Sequence, residues 1–276
     1  MGLTVNTNLA AMNAVKSLNA SNKSLQGSLG RIASGSRINK AGDDAAGLAV
    51  AENLDAAGRS LKVAQRNAND GISVIQTAEG ATGEVGNILK RMRELAVQSA
   101  SDTLANGERA YIQDEFTQLS SEVDRISAVT EFNGVALGDG STATIDVQVG
   151  INDTANDRIA ITLGDLRSTT LGVDGAAIDM STSAGAQTAL TTLDTAIDTV
   201  NGYRSDYGSV QNRLDSSIRN LETYQESLAA AKSSIKDTDF AAEAAEMAKF
   251  QIMQQAGQSI LGQANQLNQG AIRLIG

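Results

Sequence analysis

The sequence predicts a mainly α-helical protein: a long coiled-coil-like helical bundle built from both chain ends, with a small β-hairpin region in the middle of the chain. Three observations carry this reading. Apolar side chains recur every seven residues between 50 and 96 and again between 197 and 235, which keeps a stripe of each helix against a partner. None of the 276 residues is proline, so no ring interrupts a long helix. Only between about 143 and 163 does the apolar period change from helical to two.

The first 42 residues hold Lys16, Lys23, Arg31, Arg37 and Lys40 and no acid. Leu18, Leu25, Leu29 and Ile32 repeat at helical steps, with Asn, Ser and Gln between them. Such a thin stripe is marginal alone and folds when it meets a partner. Gly35 and Gly42 bracket a break, and Asp43 and Asp44 place negative charge where the next helix begins. That helix carries two lines. Leu54, Leu61, Ala68, Ile75, Thr82, Leu89 and Ala96 form one; Val50, Ala57, Ala64, Gly71, Ala78, Val85 and Met92 form the other.

A shorter helix follows at Ile112, Phe116, Leu119, Val123 and Ile126, and Asn133–Gly134 and Asp139–Gly140 mark turns. Ile145, Val147 and Val149, then Ile159, Ile161 and Leu163, alternate with polar or small residues and predict a hairpin. Residues 164–187, rich in Gly, Ser, Thr and Asp, read as an exposed irregular connection. From 188 a third long helix repeats Val200, Tyr207, Leu214, Leu221, Leu228 and Ile235, with Ile197 and Ile218 on a second, more polar line. Its roughly 48 residues would make a rod of about 70 Å. From Phe250 through Ile272 there is no charge, and Asn and Gln supply nine of the 23 residues, which excludes a membrane span. Met247, Phe250, Met253, Ile260, Leu267 and Leu274 lie on the apolar stripe of this last helix. The expected organisation is inner terminal helices at 1–42 and 237–276, a rod bundle at 43–140 and 188–236, and a hairpin and loop region at 141–187.

Composition narrows function. With no cysteine and no histidine, the chain lacks a thiolate, the usual general base and the commonest metal ligands, so no catalytic, cofactor or metal site is expected. A formal charge of −10 argues against nucleic acid. No apolar signal-peptide core opens the sequence. Gly80, Gly83 and Gly86 match no phosphate loop and read as close helix contacts. Asn152-Asp-Thr fits the N-glycosylation triplet. On periodicity alone, a coiled-coil signalling rod is also an option.

Longer motifs decide between these. Gly2-LTVNTNLAAMNAVKSLN, Arg66-NANDGISVIQTAEGA, Leu89-KRMRELAVQSAS, Thr130-EFNGVAL and, near the other end, Ser234-IKDTDFAAEAAEMAKFQIMQQAGQSILGQANQLNQ resemble bacterial flagellin on both flanks and in order. The resemblance covers about 1–140 and 185–276. It implies a structural subunit of the flagellar filament, not an enzyme, with a short central region. It further implies export unfolded through the flagellar type III apparatus, secretion to the bacterial flagellum outside the cell, and an export chaperone on the C-terminal segment. Homopolymerisation would proceed through the paired terminal helices, with hook-associated and cap proteins as further partners, giving Leu18, Leu25, Leu29, Ile32, Met247, Phe250, Met253, Ile260, Leu267 and Leu274 as the self-assembly interface. A hook–filament junction protein shares the terminal patterns and is the nearest rival. The family's contact with the vertebrate innate-immune flagellin receptor carries over to Arg91, Leu95, Gln98 and Glu115, with Lys90 departing from the usual glutamine. Family O-glycosylation makes Ser141, Thr142, Ser168, Thr169, Thr170, Ser181, Thr182 and Ser183 candidates. Asn268 stands where the family commonly has proline. The family's H-E-x-x-H protease motif is excluded by the absence of histidine.

Overall fold

A computed structural model describes residues 7–275 of the chain, with side chains over 7–266. Its elements in order are α1 (Leu9–Ser34), α2 (Ala45–Ser99), α3 (Asn106–Val129), β1 (Glu131–Phe132), β2 (Val135–Ala136), β3 (Thr144–Gln148), β4 (Arg158–Thr162), α4 (Ser168–Leu171), α5 (Ser183–Lys236) and α6 (Phe240–Ile275). The chain is mainly helical, as its periodicity predicts. It divides into two compact units, residues 57–226 and residues 1–56 with 227–276. The beginning of α2 and the end of α5 therefore belong with the terminal helices, whereas the repeats alone place the divisions at 42 and 237.

In the unit of residues 57–226, the heptad lines of α2 form the spine. Leu61, Ala64, Ala68, Ile75, Ala78, Val85, Leu89, Met92 and Ala96 are all buried. One core cluster joins Leu89 and Met92 to Phe116 and Val123 of α3 and to Leu193 and Val200 of α5. A second joins Ala68 and Ile75 to Tyr207 and Leu214 of α5 and to Val147, Ile159 and Ile161 of the hairpin. Burial at roughly 25 cal/mol per Å² of apolar surface drives this packing. Gly71 lets the sheet approach, since a Cβ there would lie 3.0 Å from Val147. Of the glycine trio, only Gly86 has a helix neighbour, Val200 at 3.6 Å; Gly80 and Gly83 face open space.

β3 and β4 pair antiparallel with Ile145 opposite Ile161 and Val147 opposite Ile159. Asn133 and Gly134, at φ 49° and 79°, turn β1 into β2. Both conformations are left-handed, as a two-residue hairpin turn demands. Residues 164–187 are not an exposed connection. Leu166, Leu171, Val173, Ile178 and Met180 are buried in the first core cluster, and α5 begins at Ser183 rather than 188. These apolar residues are spaced by alternating steps of five and two, which match neither the three-and-four steps of a helix face nor the alternation of a strand, so the segment does not read as a buried element.

The second line of α5 also differs. In its first half Ala196 and Val210 are buried and Tyr203 half-buried, each one residue before a position the repeat selects, while Ile197 on the expected line is itself half-buried against the core. Ile218 resumes the expected line. A straight helix drifts about 20° per heptad against a strict seven-residue repeat, which carries the stripe across one row.

Candidate assembly interface

The unit of residues 1–56 and 227–276 is built on an antiparallel pair, α1 and α6. At one end the Arg31 guanidinium donates to Glu243 Oε1 at 2.7 Å; at the other, Asn8 Nδ2 donates to the Ala264 carbonyl at 3.0 Å. Leu18 meets α6 at Gly257, where a Cβ would lie 3.3 Å from the leucine methyl. Ser28 and Ala264 are buried. Small residues at these crossings let the backbones approach closely.

Local chemistry fixes three helix starts and the connections. Asn8 caps α1 by accepting from Ala11 N. Asp44 Oδ1 accepts from Gly47 N at 2.8 Å at the start of α2. Asp239 Oδ1 accepts from Ala241 and Ala242 N at the start of α6. Each satisfies donors that a helix N-terminus leaves open. Gly35 ends α1 in the left-handed region at φ 68°. The two connections then bond to each other: Arg37 N donates to Lys236 O at 2.7 Å and Thr238 N to Gly35 O at 3.0 Å. Ile38 is buried beside them. Lys236 Nζ reaches Glu52 Oε1 at 3.2 Å, and Lys232 pairs with Asp55. Backbone N–H donors of Asn39 and then Lys40 hold the Asp43 carboxyl below its usual range. The Arg31 hydrogen bond does the same for Glu243.

Of the ten predicted interface residues, Leu18, Leu25, Ile32, Met247 and Phe250 are half-buried in the pair. Leu29, Met253 and Ile260 point out of it, at 47, 38 and 55% exposure. The side chains of Leu267 and Leu274 lie outside the described residues. The seam on α6 runs through Glu243, Met247, Phe250, Gln254, Gly257, Leu261 and Ala264. Gln254 and Leu261 thus take the places expected for Met253 and Ile260. Three-and-four spacing admits two phases in so amide-rich a helix, and Met253 and Ile260 fit the other one. Arg31, Ser28 and the 35–38 connection carry no apolar repeat, so periodicity passes over them.

Once α1 and α6 have paired, both still expose large apolar side chains. Leu9, Met12 and Val15 stand 61, 60 and 42% exposed on α1, and Phe240 and Ile252 65 and 66% on α6. An open groove of about 680 Å³ lies at the Asn8 end of the pair, lined in part by Met12, Val15 and Leu261.

Comparison with known proteins gives this arrangement a family. Residues 5–143 match the bacterial flagellin N-terminal helical region and residues 190–275 the bacterial flagellin C-terminal helical region. The chain is 43% identical to a flagellin of Halalkalibacterium halodurans over 98% of its own length and 99% of that protein's. The chain belongs to the bacterial flagellin family. A flagellin of Bacillus subtilis is 39% identical over the same shares of the two chains. In fold alone, the chain is also similar to the solved structure of a putative flagellar hook-associated protein from Vibrio parahaemolyticus, at a TM-score of 0.58 and 14% identity, covering 71% of this chain and all of that one. As a flagellin it is a structural protein of the filament, not an enzyme, and its place is the bacterial flagellum.

Flagellin-specific residues fall in the unit of residues 57–226. Arg91 Nη2 pairs with Glu115 Oε1 at 2.8 Å and Arg91 Nη1 with Glu94 at 3.1 Å, all exposed. Gln98 is exposed on the same helix. Leu95 is not a surface contact: it is 2% exposed and packs in the core, so its part in the RMREL segment is structural. Among the glycosylation candidates, Ser168 is buried in the folded chain and its hydroxyl donates to Asp124 Oδ2 at 2.8 Å. Ser141, Thr169, Thr170 and Thr182 are exposed, and Thr142, Ser181 and Ser183 half-buried. Thr170 donates to Asp165 at 2.7 Å, Ser141 to Asp139 at 2.6 Å and Ser183 to the Ala100 carbonyl at 3.0 Å.

Proposed function

We propose that the subunit enters the filament through the apolar faces that the α1–α6 pair leaves uncovered, so that pairing within a chain creates the surface that binds neighbouring chains. The supporting observation is the double set of side chains: Leu18, Leu25, Met247 and Phe250 turn inward, while Leu9, Met12, Ile252 and Ile260 stay outside. A contact between the outer face of α1 in one copy and that of α6 in the next is heterologous and propagates instead of closing, as a helical filament requires. A thin helix pair buries too little to offset about 1–2 kcal/mol of backbone ordering per residue. Neighbouring copies supply the remaining burial. Interface residues Leu29, Met253 and Ile260 thus act between chains, and Leu18, Leu25, Ile32, Met247 and Phe250 within one.

Membership of the flagellin family supports the accompanying proposal that the chain is exported unfolded through the type III apparatus, that a chaperone covers 237–276 beforehand, and that cap and hook-associated proteins meet the filament ends. Replacing Met12 and Ile252 by Asp tests the assembly reading. Soluble subunits that no longer polymerise in seeded assembly, followed by electron microscopy, are the expected result; filaments of ordinary length would refute it.

A second reading concerns the vertebrate flagellin receptor. The exposed Arg91–Glu115 pair with Gln98 presents a charged patch of mixed sign for it. An Arg91→Ala, Glu115→Ala variant that signals as strongly as the parent on receptor-bearing cells would remove this reading.

A further inference from the structure

The chain contains three Asn–Gly pairs, at 106–107, 133–134 and 201–202. Asn–Gly is the dipeptide in which a main-chain nitrogen most readily reaches the preceding side-chain amide, because glycine places no Cβ in the way. The fold treats the three differently. Asn201 and Gly202 lie inside α5, where the Gly202 N–H belongs to the helix ladder and cannot turn toward a side chain. Asn106 opens α3, and its Oδ1 accepts from Arg109 Nη1 at 3.0 Å. That guanidinium is buried and also holds the carbonyls of Ser99 and Ser101 at 2.9 and 2.8 Å, so the Asn106 amide is fixed to the α2–α3 corner.

Asn133 has neither restraint. Both Asn133 and Gly134 are exposed, and among the described residues neither the Asn133 side chain nor the Gly134 N–H has a hydrogen-bond partner. Asn133 is also the one described non-glycine residue with positive φ, a conformation that costs L-residues energy and is relieved when the turn opens. Glu131 pairs with Ala136 and Phe132 with Val135, and Leu137 N donates to the Thr130 carbonyl at 2.9 Å, so the strands are anchored at the base. Asn133 and Gly134 lie beyond the last pair, at the exposed tip, where the turn can change conformation without disturbing the buried Leu137.

We propose that Asn133 is a site of spontaneous deamidation, the position at which this subunit is chemically modified first. With the turn open, the Gly134 nitrogen attacks Asn133 Cγ. The new C–N bond forms as the side-chain amide nitrogen leaves as ammonia, carrying the proton lost from Gly134, and a succinimide results. Water then adds to one of its two carbonyls. Cleavage at Cγ gives aspartate, and cleavage at the main-chain carbonyl gives isoaspartate. No oxidant or reductant takes part. Either product adds a negative charge, and isoaspartate adds a methylene to the main chain, so the two-residue turn no longer matches the Phe132–Val135 register.

The full folded chain, incubated at mildly alkaline pH, provides the test. Peptide mapping by mass spectrometry, with methyl transfer by an isoaspartate-specific methyltransferase as the probe, reads each Asn–Gly pair separately. The denatured chain serves as reference, where all three pairs should react alike. Label should accumulate first in the peptide containing Asn133. Asn133→Gly keeps the left-handed turn and removes the amide; it should abolish that label while the other two peptides stay unchanged. Label appearing first at Asn106 or Asn201 would overturn the proposal. So would a folded chain that takes no label while the denatured chain does.

Discussion

Arg31 and Glu243, far apart in sequence, meet at 2.7 Å with side chains only 33 and 14% exposed, and they lock the end of α1 to the start of α6. The pair lies where both helices join their connections, so its strength sets how readily the terminal helices separate. Arg31→Ala should cost about 1–3 kcal/mol in the pairing, more than an exposed ion pair because Glu243 is left partly desolvated. Subunits carrying it should need a higher critical concentration to polymerise, measured by sedimentation.

The same pair gives assembly an acid limit. The Arg31 hydrogen bond lowers the Glu243 pKa from its ordinary 4.5. A carboxylate depressed in the folded state stabilises fully above its unfolded pKa, and that contribution disappears as pH falls through the folded value. Terminal pairing should therefore be flat in pH near neutrality and weaken once pH drops below about 4.5. Glu243→Gln should remove this part of the acid dependence, as read by filament dissociation against pH.

Residues 57–226 should tolerate more acid. Asp165 is lowered from 3.8 to about 2, first by the Arg167 hydrogen bond and then, against desolvation, by Thr170 and the Arg167 backbone. Its contribution, up to about 2 kcal/mol, is present above 3.8 and lost as pH falls through about 2. Asp165→Asn should destabilise this unit at neutral pH and make little difference near pH 2, measured by chemical denaturation.

Tyr207 is buried among α2, α5 and the hairpin, and its hydroxyl oxygen accepts from the Gly164 N–H at 3.0 Å. Tyr207→Phe keeps the ring and leaves that buried N–H without its acceptor, a loss of about 1–3 kcal/mol. A fall in Tm of several degrees by circular dichroism, with helix content unchanged at low temperature, is the expected outcome.

Leu95 and Arg91 separate packing from recognition. Leu95→Ala opens a core cavity and should cost about 2–5 kcal/mol. Arg91→Ala removes only exposed ion pairs and should change stability by about 1 kcal/mol or less. Any loss of receptor signalling from Leu95→Ala should therefore track unfolding, whereas loss from Arg91→Ala should not. Thermal melts beside the cell assay distinguish them.

What the sequence makes legible follows from periodicity. The lines of α2 are buried almost without exception from Leu61 to Ala96, because one dominant stripe in a long helix admits a single phase. β3 and β4 alternate cleanly and pair in the register their apolar residues require. Where period fails, so does the reading. Leu166, Leu171, Val173, Ile178 and Met180 are core residues whose steps of five and two fit neither a helix face nor a strand face. Met253 and Gln254 exchange roles because either phase suits an uncharged helix. The lock itself, Arg31 with Glu243, is a single long-range pair that no local pattern encodes.

The bonds from Arg37 to Lys236 and from Thr238 to Gly35 join main chain from the two halves of the polypeptide. Neither connection can complete its hydrogen bonding until the other is present. A chain cut short before residue 237 lacks α6, the helix that pairs with α1. Under the proposed assembly, truncated copies should therefore fail to add at the end of a growing polymer, with no separate factor needed to turn them away.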